Sequence, residues 1–79
     1  MPHMTPTSFR AVRVALGMKQ SEFGALIGMR QSHVSETERG VGGRSVSPTV
    51  AACIRRMAEA DSARAAVIRE VLRRAEEVE

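Results

Sequence analysis

Tryptophan and tyrosine are absent from this 79-residue chain, and Phe9 and Phe23 are its only aromatic residues. Sheets draw on aromatic and β-branched side chains, so their scarcity beside abundant Ala, Leu, Met and Arg points to helices. Cysteine occurs once, at Cys53, which excludes an intrachain disulfide. Set among Ala51, Ala52 and Ile54, it reads as a small core residue and fits a reducing, cytoplasmic setting. No apolar run approaches the ~20 residues a membrane-spanning helix needs. The N-terminus lacks the basic segment and apolar stretch of a signal peptide. Met1, Pro2, His3 and Met4 are assigned no role, and Met4 is read as the natural start. His3 and His33 are the only histidines, with no cysteine or carboxylate cluster at ligand spacing, so no metal site is expected. No phosphate-cradling glycine loop with its lysine is present, and no Ser-His-Asp arrangement. The expectation is therefore no enzyme, no cofactor and no small-molecule ligand.

What the chain does have is an uneven charge. Its net charge is +3. Residues 1–49 carry six Lys or Arg against three Glu, whereas residues 50–79 carry six Arg against six acidic side chains. All the excess positive charge lies in the first part, which suits a polyanionic partner.

Punctuation divides the chain into five helices. Thr5-Pro6 supplies a cap and a pre-organised first position. Phe9, Val12 and Leu16 follow at helical spacing up to Gly17. A second short helix fits Gln20 to Ile27, with Phe23, Leu26 and Ile27 inward and Gly28 at its end. A third runs from Gln31 to Arg39 with Val34 inward, closed by Gly40. After a glycine-rich loop at 41–47, Ser47-Pro48 repeats the cap-plus-proline start. The fourth helix carries Val50, Ala51, Ile54, Met57 and Ala58 on one side. Asp61-Ser62 can cap a fifth, whose Ile68, Val71, Leu72, Ala75 and Val78 form an amphipathic stripe. Glu70 with Arg74, and Arg73 with Glu77, are pairs on its wet side. Met18, Met29 and Met57 read as core filler.

Residues 17–40 concentrate the functional signal. Phe23, Ile27 and Val34 can pack two short helices across a tight turn at Gly28-Met29. Gln31, Ser32, His33, Ser35 and Glu36 are then left on or near the outward side of the second of these, where a core does not account for them. Gly17, Gln20, Glu22, Phe23, Gly28, Met29, Val34, Ser35, Glu38 and Gly40 fall in one register, in which the segment resembles the Cro/CI (lambda-repressor-like, XRE) helix-turn-helix family. The resemblance covers about residues 8–58.

The resemblance implies a compact all-α, five-helix DNA-binding domain. It places Gln20 against a backbone phosphate, and Gln31, Ser32 and Glu36 at base edges in the major groove. Arg30 is placed for phosphate or guanine. Lys19, His33 and Ser35, with Arg44 and Ser45 of the following loop, are candidate phosphate contacts. Arg13 and Glu38 fall where family members form a helix-to-helix ion pair, a scaffold role. The chain departs from the pattern at Lys19 and Arg30, where Ser or Thr usually caps a helix, and at Gly24, where Ala is usual. Its loop at 41–47 is also longer than in compact members.

The sequence therefore predicts a single domain, with a DNA-binding core at 5–60. A C-terminal helix at 61–79 is expected to pair with a second copy through Ile68, Val71, Leu72, Ala75 and Val78. The expected function is sequence-specific binding of double-stranded DNA by a homodimer at an inverted-repeat operator. With no sensing or cleavable domain in view, an autorepressor of a phage or mobile element fits, working in the cytoplasm and away from membranes. The alternative is an antitoxin or adaptor that neutralises a partner protein. The short, regular tail argues against that reading.

Overall fold

Each helix begins and ends where local chemistry dictates. The computed structural model describes residues 4–43 and 46–78, with side chains as far as Ala75. Helix α1 spans Pro6–Ala15. Thr5 Oγ1 accepts the Ser8 amide at 3.1 Å, and Pro6 occupies the first turn, where its missing N–H is no loss. Helix α2 covers Gln20–Ile27 and ends at Gly28, whose φ of 75° lies in the left-handed region that other residues enter only at a cost. Helix α3 is Gln31–Arg39, followed by a 3-10 turn at Val41–Gly43. Helix α4 is Pro48–Met57 and α5 is Ala63–Val78. The architecture is all-α, with no strand among the described residues.

The core gathers the side chains that the helical spacing turned inward. Phe9, Val12, Phe23, Val34, Ile54 and Ile68 are fully buried. The Phe9 and Phe23 rings meet edge to face at 5.3 Å, a favoured aromatic geometry. Met18, Met29 and Met57 pack around this centre, half-buried. Helix α1 packs on both α5 and α3, while α2 packs on α3. Arg69 fixes the corner between α4 and α5. Its guanidinium donates to the carbonyls of Ala58 at 2.6 Å and Ala60 at 3.0 Å, satisfying acceptors that the end of α4 leaves free.

Four expectations need correction. Ile68 does not offer itself to a second copy: it is wholly enclosed by its own domain, and Val71 and Leu72 pack half-buried against the same core. Helical periodicity identifies an apolar face, and here that face is consumed mainly by α1 and α4. Cys53 is half-exposed beside Thr49, Ala52 and Arg56 on the outer side of α4, not a core residue. Met4 does have a role. It is buried, and its carbonyl accepts the Val46 amide at 3.0 Å, tying the chain start to the segment before α4. Ser47 precedes α4 as expected, but its side chain makes no capping bond. The side chains of Val78 and Glu77 lie outside the described residues. Among the described residues Arg73 meets Glu70 at 2.6 Å.

Candidate nucleic-acid interface

The turn between α2 and α3 is built on backbone contact. Gly24 is buried, and its carbonyl accepts the amides of Gly28 and Met29, the latter at 2.8 Å. A Cβ on Gly24 would overlap the Met29 carbonyl oxygen and lie 3.2 Å from a Val34 methyl. Glycine here lets α2 sit directly on the turn and on α3. Glycine weakens a helix but permits close approach, and here the close approach is the larger effect.

Helix α3 is held from beneath at both ends of its inward face. Val34 sits in the core near its start. Near its end, the Glu38 carboxylate is only 4% exposed and accepts both Nε and Nη2 of Arg13, the latter at 3.0 Å. Arg13 also donates through Nη1 to the Met18 carbonyl at 2.9 Å, so one guanidinium joins α1, the approach to α2, and α3. Gln20, first residue of α2, donates its amide to Glu38 Oε1 at 3.3 Å. It is half-buried against this ion pair, and not simply extended into water.

With its inward face fixed, α3 presents Gln31, Ser32, His33 and Glu36 to solvent, with Arg30 exposed just before it and Ser35 half-exposed. Ser32 and Glu36 share one row, four residues apart, and Arg39 continues it after three more. Arg39 is exposed and its Nε lies 3.4 Å from the Ser35 carbonyl. The sequence reading missed this arginine, although its spacing from Ser32 and Glu36 was legible. His33 and Glu36 also border a groove closed by Met29, Val41, Val46 and Val50. At α2, Lys19 is exposed, and its backbone amide donates to Glu22 Oε1 at 2.8 Å. No side chain at Lys19 or Arg30 caps the helix that follows. Arg44 and Ser45 lie outside the described residues.

Chemically this is a surface of short polar and cationic groups on one exposed helix, flanked by the start of a second. Amide, hydroxyl and carboxylate groups at one- and four-residue spacing match the donor and acceptor edges of base pairs. The flanking cations and the α2 start match phosphates. Among the described residues no group of His, Cys, Asp and Glu forms a metal site, and no helix is long and apolar enough to cross a membrane. A helix-turn-helix family model matches residues 9–52, more than half of the chain. No curated protein and no solved structure matches it.

Proposed function

The chain belongs to the helix-turn-helix family of Cro/CI type, which makes it a DNA-binding transcriptional regulator, and we propose that it is a homodimeric repressor of an inverted-repeat operator. The observation that carries this reading is the two-sided α3: Val34 and Glu38 anchor it while Gln31, Ser32 and Glu36 stand in solvent. In the proposed complex Gln31 makes a two-point contact with adenine and Glu36 accepts from a cytosine amino group. Ser32 and Arg30 complete the reading edge. Lys19, Gln20, His33, Ser35, Arg44 and Ser45 meet the sugar-phosphate backbone. Repression follows from occupancy of a promoter, as in an autorepressor of a phage or mobile element.

A single module reads a short half-site, and two copies reading sites one helical turn apart multiply affinity and specificity. The second copy has an apolar trough to meet. Between α1 and α5, Ala11, Val14, Ala15, Val71 and Ala75 line a mainly apolar depression bordered by Thr5 and Arg74, and 56% of the Val14 surface is exposed. Val14 with Val71 and Ala75 therefore replaces Ile68 as the proposed two-fold contact.

Selection from random duplexes tests the reading. Enrichment of a two-fold symmetric site supports it, and recovery of no preferred sequence contradicts it. On the winning site, Gln31→Ala will relax preference at one position, whereas Gln20→Ala will weaken all variants alike.

A further inference from the structure

Arg10 is a cation that the fold does not use up. It lies one turn before Arg13 on α1, and its side chain is 65% exposed. Its Nε stands 3.9 Å from Glu38 Oε1, at the outer limit of an ion pair. That carboxylate is already matched by Arg13, which is bound to both of its oxygens. A distant, water-exposed contact to a neutralised carboxylate contributes little to stability. The charge of Arg10 is therefore surplus.

Its position gives that surplus a use. The oxygen that Arg10 approaches also accepts the Gln20 amide, so the guanidinium stands beside the first residue of α2. There the first-turn amides of α2 point outward with the positive end of the helix dipole. Lys19 adds a second cation, and Glu22, bonded to the Lys19 amide, is the acidic group on the same turn. Two cations against one carboxylate leave this corner positive. A phosphate approaching the start of α2 would meet Arg10 from the α1 side, and the planar fork of a guanidinium suits two phosphate oxygens at once.

We propose that Arg10 is a phosphate contact, so that the bound DNA backbone is gripped by α1 as well as by the start of α2. This rests on the DNA-binding reading above and adds a residue that neither the sequence pattern nor the family match assigns. The test is fluorescence anisotropy of a short mixed-sequence duplex across a sodium chloride series. The wild type is compared with Arg10→Gln, Arg10→Lys and the charge-matched control Arg64→Ala, which removes an exposed cation at the start of α5. Each lost phosphate contact lowers the slope of log affinity against log salt by about 0.9. Arg10→Gln is expected to lose about that much with its melting curve unchanged, Arg10→Lys to keep the wild-type slope, and Arg64→Ala to leave it untouched. An unchanged slope in Arg10→Gln, or an equal loss in Arg64→Ala, overturns the proposal while DNA binding stands. A lower melting point with the wild-type slope assigns Arg10 to the scaffold and also overturns it. No binding by the wild type in dilute buffer removes the DNA-binding reading, and this contact with it.

Discussion

Gly24 sets two residue-scale effects against each other. Alanine at a helical position is favoured over glycine by up to ~1 kcal/mol. Overpacking a tight contact typically costs about 1–3 kcal/mol, and here the added methyl meets a backbone carbonyl that cannot rotate away. The second effect wins. Gly24→Ala, although it restores the residue usual in the family pattern, will lower the urea midpoint of unfolding; a raised midpoint would contradict this account of the turn. The Arg13–Glu38 pair is governed by a similar asymmetry. Removing Arg13 strands a carboxylate that is almost wholly enclosed, and Arg13→Ala should cost about 3 kcal/mol. Arg13→Ala combined with Glu38→Ala should lose clearly less than the two single changes added together, with a coupling of about 1–3 kcal/mol in a denaturation cycle. Strict additivity would show that the pair is not coupled. The partners stand 25 residues apart, so helical spacing alone could not have joined them; the family pattern suggested the pairing, and the folded chain provides the contact.

At the scale of elements, caps separate helices that look alike in sequence. Ser47 and Ser62 each precede a helix. Ser62 Oγ accepts the Ala65 amide at 3.1 Å, whereas the Ser47 side chain accepts nothing from α4. Ser62→Ala should destabilise the protein by about 1 kcal/mol and Ser47→Ala hardly at all, as read from thermal melts. Equal losses would refute the distinction. On the outer face of α5, hydrogen bonds from Arg73 and then Arg74 hold the Glu70 carboxyl below its usual range. A lowered folded-state value means this small support is present at neutral pH and fades as acid protonates Glu70. The helices were legible because glycines and prolines mark their ends and apolar residues recur at three and four. What the pattern could not supply was the destination of each face. The stripe on α5 was visible, but nothing in its spacing told whether Ile68 faced a second molecule or its own core. Cys53 misled for the same reason. An apolar neighbourhood in sequence is not a buried one, because successive helical residues point in different directions.

For the whole molecule, the arrangement divides its labour between two sides. The α2–α3 side carries the polar and cationic groups, and the α1–α5 side carries the exposed apolar trough around Val14. The chain's excess positive charge lies within residues 1–49, where Arg10 and Arg13 of α1 add to Lys19, Arg30 and Arg39. A small domain buries a modest share of its surface and gains from a second copy. Val14→Asp probes the trough without opening the core, because Val14 is exposed whereas Leu72 packs inward. Light scattering should find a dimer mass for the wild type and half that mass for the variant. A monomer in both would contradict the proposed assembly, and so would a dimer in both.

The central claim is that the solvent face of α3 enters a duplex groove. A titration of isotope-labelled protein with its selected operator, followed by backbone amide resonances, addresses that claim residue by residue. The account predicts that the largest changes fall on Gln31, Ser32 and Glu36, with smaller ones at Lys19 and Gln20 and little along the outer face of α5. Changes centred on α4 or α5 while α3 stays silent would contradict it.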